Sequence, residues 1–454
     1  MTPVAPVAAG CPLVANADSI DSSWPLRVAM EREPSTVVFG WPGFPAGRGE
    51  RFVGRQVSET LIRIDCRGEA IPGLAVRWSA DTSGRYWTLR LRPGARFSDG
   101  SPVTAADVTR SFAELAEPDA GAGAGTGGML VGWAGLRAAR RLADTAVVLE
   151  FAEPHSVIPP VLAHPALITI KGSVREPLGS GAFRTGGTAA GRARLFSPGG
   201  AIISYDDITG DPRSALDAGR DIVVTRDPRA LAYAGGLEEY RSIALPWSSL
   251  YALVVVPGGV SIRVGDVRDI RLASIVRVSA REPSGTPWWR DSAGCPSVRA
   301  STAAVRVPPE PRVVFDETDP VARNLAERVV AVAGTAPAGR LTVRGLNPGE
   351  FRRSLVLGRD RGYVVALPRD PLAPCLAAGS LRRLAPWLDL RGAATGIQGL
   401  IETRAHAIVR PGRVIGRVEA DRGGELIVLP YAGGAKLPGH GRMETEGTGK
   451  GGRR

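Results

Sequence analysis

The stretch from Phe52 to Leu115 constrains the chain more than any other, because turn, strand and helix signals follow one another there without a gap. Asp65-Cys66-Arg67-Gly68 and Asp81-Thr82-Ser83-Gly84 read as turns, and Pro93-Gly94 and Asp99-Gly100 are turn dipeptides. Between them, Tyr86-Trp87-Thr88-Leu89-Arg90-Leu91-Arg92 alternates apolar and polar residues with the period of a half-buried strand. Thr104 is placed to cap a helix, and Asp107 stands three residues on, where a reciprocal capping acid belongs. Val108, Phe112 and Leu115 then fall on one helical face. A strand-rich unit closed by a capped helix is predicted here.

Composition bounds what surrounds this unit. A chain of 454 residues with 44% hydrophobic content has room for two or three domains with substantial cores. No run approaches the ~18 uninterrupted apolar residues of a membrane-spanning helix. The net charge is +12, and only Lys171, Lys436 and Lys450 among the basic residues are lysine. The arginines are spread along the whole chain, with no basic helix, no aromatic-basic platform and no zinc-finger spacing, which argues against nucleic acid as a partner. Cys11, Cys66, Cys295 and Cys375 form no C-x-x-C pair, and His155, His164, His406 and His440 lack metal-ligand spacing, so neither a metal nor a cofactor is expected. G-x-S-x-G, S-x-x-K with its partner motifs and H-E-x-x-H are all absent. The acidic doublets Asp206-Asp207 and Asp316-Glu317 point to opposite faces if they lie on strands. No enzyme activity is expected.

The motif order from residue 52 to 115 resembles the signature region of family 5 extracellular solute-binding proteins, the dipeptide and oligopeptide receptors of ABC importers. Carrying the match are Glu59-Thr60-Leu61, Pro72-Gly73-Leu74-Ala75, Trp78, Leu91-Arg92-Pro93-Gly94, Phe97, Asp99-Gly100, Pro102-Val103-Thr104-Ala105, Asp107-Val108 and Ser111-Phe112. Weaker similarity continues through Pro177-Leu178-Gly179-Ser180-Gly181-Ala182-Phe183-Arg184 and Asp211 to Asp227. The resemblance implies an α/β, two-lobed periplasmic-binding-protein fold of class II type, with an extra subdomain on the first lobe. Its implied boundaries are 1–25 for a truncated signal and linker, 26–235 for the first lobe with subdomain 51–168, and 236–402 for the second lobe. Residues 403–432 then complete the first lobe, and 433–454 form a Gly-rich, basic tail expected to be disordered.

Along the chain, the first strand is expected at Trp24 to Met30, and a loop at Trp41 to Pro45. Residues 118–128 are a Gly-rich loop without the Lys-Ser/Thr of a phosphate cradle. A strand pair is expected within Ala138 to Phe151, then a helix and turn at Val161 to Pro165, a short helix ending at Ala218 with Gly219 as its C-cap, and a buried strand from Asp221 to Val224. Gly179 is read mainly as a β-turn glycine. Val223-Val224 and Tyr251 to Val256 fit two crossings between lobes. A blurred helix is expected at Asp266 to Ala273, a loop at Pro287 to Pro296, a strand at Val313 to Asp316 and a helix from Asp319-Pro320 to Ala333. Leu341 to Val343 is the next strand, Asn347 caps another helix, and terminal strands run between Ile408 and Leu429.

The implied function is capture of a peptide or similar small polar solute between two lobes, for delivery to ABC permease subunits. The alternative is a transport-inactive scaffold that serves as a sensor or partner protein. Ligand-lining candidates are Ser180, Gly181, Phe183, Trp247, Tyr251, Trp288, Trp289, Arg369 and Asp370. Asp370 is the residue left to meet a ligand ammonium, with Arg369 beside it to neutralise it. Ala8-Ala9-Gly10-Cys11 resembles a lipobox, which makes Cys11 a lipidation candidate and implies a monomer at the outer face of the membrane or in the periplasm, touching the membrane only through that anchor. Cys295 and Cys375 both fall in the implied second lobe and are candidates to pair outside the cytoplasm.

Overall fold

In the Tyr86–Leu91 strand, Trp87, Leu89 and Leu91 are buried and Tyr86 and Arg90 exposed, as the period-two pattern requires. The computed structural model describes residues 12–15, 25–31, 48–116, 130–132, 135–171, 178–189, 191–256, 281–283, 310–333, 341–388, 396–411, 417–422 and 425–429. Outside the described residues fall the readings at Cys11, Trp24, 41–45, 118–128, 266–273, 287–296 (with Trp288, Trp289 and Cys295) and 433–454. Cys66 and Cys375 are both disulfide-bonded.

The Tyr86–Leu91 strand sits inside a four-stranded antiparallel sheet with Ala75–Ala80, Ala146–Phe151 and Leu136–Ala143. Helix Ala105–Ala116 packs on it through Val108, Phe112 and Leu115. The capping acid behaves as its spacing predicts. The Asp107 carboxylate accepts from the Thr104 backbone N–H at 2.9 Å and from its hydroxyl at 2.7 Å. The segment Val161 to Pro165 forms two 3-10 turns, Pro160–Ala163 and Pro165–Leu167, instead of one helix, because prolines open both.

Pro12–Ala15, Arg417–Ala420 and Leu426–Leu429 form a separate three-stranded sheet, and most of the remaining strands belong to one 11-stranded mixed sheet. At one end Leu26–Glu31 lies parallel to Ile202–Ile208 and to Ile222–Thr225. Their shared core includes Leu26, Val28, Met30, Phe52, Ile203 and Ile222. At the other end Glu310–Asp316 lies parallel to Thr342–Leu346 and Asp360–Pro368. Helix Pro320–Ala333 covers one face there through Leu325 and Val329, and helices Pro348–Leu357 and Leu376–Leu384 cover the other through Leu355 and Leu381. Asp360–Pro368 is buried from Asp360 to Leu367, as a strand covered on both faces must be. Asn347 accepts from the Glu350 N–H at 3.0 Å and caps its helix.

Two long antiparallel strands, Arg241–Val255 and Ile397–Val409, join these halves into a two-lobed α/β fold. The Leu245 and Ala405 to Val409 ends belong to the first-lobe core, and the Leu250 to Val254 and Ile397 to Ile401 ends to the second-lobe cores. The crossing at Tyr251 to Val256 is therefore part of a longer strand. Val223-Val224 does not cross: it stays in the first-lobe sheet, paired with Ala407 and Ile408.

Helix Arg48–Val57 was not legible in the sequence, and it positions much of the first lobe. Its last carbonyls, which lack intrahelical donors, are met by the 179–183 segment. Gly181 N–H donates to Val57 O at 2.9 Å and Phe183 N–H to Gln56 O at 3.0 Å. A Cβ on Gly179 would stand 1.8 Å from Val57 O, and one on Gly181 2.4 Å from Gln56 O. These glycines are required by the close approach of two backbones, not by the β-turn expected at Gly179.

Candidate functional site at the lobe junction

Parallel strands deliver polar side chains at their carboxyl ends, where α/β sheets hold ligands. Here both lobes turn those ends toward the long strands. On the first-lobe side, Glu31 closes its strand and accepts from Thr225 Oγ1 at 2.8 Å and from Arg226 N–H at 2.6 Å. On the second-lobe side, Asp319 follows the Glu310–Asp316 strand and caps its helix by accepting from the Val321 and Ala322 amides at 2.9 and 3.1 Å. Tyr251, on a long strand, donates its hydroxyl to Asp319 Oδ2 at 2.9 Å. Burial pushes the Asp319 carboxyl above the usual carboxylate range, opposed by the Ala322 amide, the Arg226 charge and the Tyr251 hydroxyl. The field of Arg226 thus reaches across from one lobe to the other.

Next to this pair the first long strand carries two bulges, between Ala244 and Trp247 and between Trp247 and Ser249. Pro246 has no N–H to give to a ladder and is accommodated there. Bulges re-aim side chains, and between these two the half-buried Trp247 lies under the Arg404 guanidinium, 4.5 Å from ring centroid to Cζ. Arg369 donates its backbone N–H to Ser248 O at 2.8 Å and ion-pairs through its side chain with Glu402. Trp247, Arg404, Arg369 and Glu402 form one polar-aromatic cluster on the seam.

The expected lining residues divide accordingly. Trp247 and Arg369 come together at the seam. Tyr251 is nearby but only 1% exposed, with its ring in the second-lobe core. Phe183 is 2% exposed in the first-lobe core, so its size serves packing in this arrangement. Ser180 is buried, and Gly181 lines a separate small depression of about 80 Å³ with Arg55, Glu59, Thr60 and Arg63. The neutralising partner expected for Asp370 is corrected. Arg369 turns to Glu402, whereas Asp370 Oδ2 accepts from His164 Nε2 at 3.0 Å and Oδ1 from the Leu372 amide at 2.8 Å. Sequence reasoning missed Glu31, Arg226, Asp319, Glu402 and Arg404. A usable signal existed for two of them, since Glu402 and Arg404 stand close together in a strand with no other Asp, Glu, Lys or Arg. Among the described residues, no three His, Cys, Asp or Glu side chains converge as metal ligands.

Two lobes on shared strands, with charged and aromatic side chains gathered at the seam, define a two-lobed α/β fold of the periplasmic-binding-protein type. Residues 69–193 match the family model of bacterial extracellular solute-binding proteins, family 5 middle. The chain is 38% identical over 77 residues to the periplasmic murein peptide-binding protein MppA of Escherichia coli, covering 17% of this chain and 14% of that protein. It is 40% identical over 73 residues to the periplasmic oligopeptide-binding protein OppA of Salmonella typhimurium, covering 16% and 13%. These alignments span only about one seventh of the curated relatives. In fold, the chain is similar to NikZ from Campylobacter jejuni, solved in complex with Ni(L-His), with TM-score 0.62 and 13% identity over 85% of this chain and 94% of that one. The family match thus rests on residues 69–193, and the structural likeness over most of the chain is one of fold.

Proposed function

We propose that this protein is an extracytoplasmic receptor that captures a peptide or similar small polar solute between its lobes and delivers it to the permease of an ABC importer. The observation that carries this reading is the seam, where the strand ends of both lobes and the Trp247–Arg404 and Arg369–Glu402 pairs converge. A solute that touches both lobes stabilises their closure by its differential contacts. The relatives named for murein peptide and oligopeptide binding support a peptide-like solute. We take residues 26–235 with subdomain 51–168 as the first lobe, completed by 403–432, and 236–402 as the second, with a monomer as the working unit.

A thermal-shift panel of di- to pentapeptides, sugars and nickel chelates tests the reading. One solute class is expected to raise the melting temperature, and Trp247→Ala is expected to abolish that rise. Silence across every class, with the protein folded, counts against it. One observation favours the sensor or partner alternative: both Asp370 oxygens are engaged inside the protein, leaving a ligand ammonium without that carboxylate.

The fate of Cys11 bears on localisation. A lipid anchor there requires a free thiol to form a thioether. The strand Pro12–Ala15 pairs with Arg417–Ala420, and Arg63, three residues before the disulfide-bonded Cys66, donates to Glu419 on that same strand at 2.9 Å. Peptide mapping of non-reduced protein is expected to yield a Cys295–Cys375 crosslink, which leaves Cys11 as the partner of the disulfide-bonded Cys66. A Cys66–Cys11 crosslink removes the anchor, and a diacylglyceryl mass on Cys11 establishes it.

A further inference from the structure

Asp370 lies outside the seam cluster, and its surroundings assign it different work. It follows the second-lobe strand Asp360–Pro368, yet its partner His164 stands between the two 3-10 turns of the first-lobe subdomain. His164 Nδ1 accepts from the Ala166 amide at 3.0 Å, so the Nε2 proton is the one given to Asp370. Directly after Asp370, Leu372, Ala373 and Leu376 are buried in the subdomain core beside Leu61, Leu162 and Leu167. The next residue, Ala377, belongs to the second-lobe core with Leu381 and Tyr363. One helix start is thus embedded in two cores at once.

Charged groups of other segments surround this junction. Arg55 of helix Arg48–Val57 donates both to Ala163 O, next to His164, and to Asp421, and Arg51 of the same helix pairs with Glu425 at 2.7 Å. Burial opposes the Asp370 charge, but the His164 contact, the Leu372 amide and the Arg51 field outweigh it and hold the carboxyl below the usual range.

Building on the two-lobed receptor reading, we propose that the Asp370–His164 contact and the Leu372–Leu376 plug clasp the second lobe to the first-lobe subdomain. Asp370 and His164 are then positioning residues that set how far the cleft opens, although neither lies in the seam cluster. Release of the clasp frees the second lobe to swing about the long strands. Its presence holds the lobes together before any solute arrives.

Small-angle X-ray scattering on the whole protein without added solute tests this. The wild type is expected to scatter as the compact arrangement described above. Asp370→Ala and Leu376→Ala are expected to increase the radius of gyration and maximum dimension, with unchanged far-UV circular dichroism. Amide exchange is expected to rise at 160–168 and 370–376 and not elsewhere in the cores. If Leu376→Ala loses its native spectrum, Asp370→Asn, which keeps the side-chain shape and removes the charge, gives the same readout. Superimposable curves for folded variants, or a wild type already as extended as they are, overturn the clasp. Because no solute is present, a failed solute screen leaves this result standing, and superimposable curves leave the receptor reading standing.

Discussion

Arg55→Ala is expected to destabilise the first lobe by about 3–5 kcal/mol, the usual consequence of taking one partner from a buried ion pair. The Arg55 side chain is 4% exposed and that of Asp421 is 3% exposed, with 2.7 Å between them. The Asp421 carboxyl already lies above the usual carboxylate range because of its burial, with Arg55 pulling it down and Glu425 pushing it up. Loss of the guanidinium raises it further. A carboxyl whose folded pKa exceeds its unfolded value of about 3.9 costs stability as pH climbs between the two. The deficit of Arg55→Ala therefore grows as pH rises above about 4. Urea denaturation at pH 4.5 and 7.5 measures it. Arg55→Ala combined with Asp421→Ala is expected to recover most of the loss, since no carboxylate is then left behind. A double variant no more stable than the single one sinks this account.

His406 carries the second large effect, and it runs in the opposite direction with pH. Its ring is 1% exposed on the second long strand, between Ala244 and Thr225 of the neighbouring strands, and neither nitrogen has a hydrogen-bond partner. Burial, assisted by the charge of Arg404, lowers its pKa from 6.5 to about 4. The unfolded chain then binds a proton between pH 6.5 and 4 that the folded protein refuses. Stability linked to this group is whole above pH 6.5 and is lost as pH falls toward 4, by roughly 3 kcal/mol. His406→Leu removes the titrating ring and is expected to flatten the fall in unfolding free energy between pH 7 and 4.5. An identical slope in both proteins refutes the assignment.

What was legible in the sequence was whatever the chain decides locally. Thr104 and Asp107 are three residues apart, with the Thr104 N–H donating to the Asp107 carboxylate; Asn347 and Glu350 have the same spacing with the direction reversed, the Glu350 N–H donating to the Asn347 side chain. The Tyr86–Leu91 alternation needs only its own six residues. Helix Arg48–Val57 escaped because little in it is local. It is polar, has Gly54 at its centre, ends on backbone groups of 181 and 183, and pairs its arginines with Asp421 and Glu425. The seam was half-legible for the same reason. Trp247 stood out as an aromatic residue, but its stacking on Arg404 depends on a register shifted by two bulges. The partner of Asp370 lies in another subdomain, and the neighbouring Arg369 was the wrong guide.

The adjacency of Leu376 and Ala377, one in the subdomain core and the other in the second-lobe core, also bears on how the molecule comes apart. Regions that share an element cannot melt separately unless that element is given up by one of them. Fraying of the Leu376–Leu384 helix removes buried residues from both cores together, so the subdomain that carries the family signature and the lobe farthest from it in sequence share one cooperative unfolding unit. Local opening there exposes two interiors for the loss of a single helix.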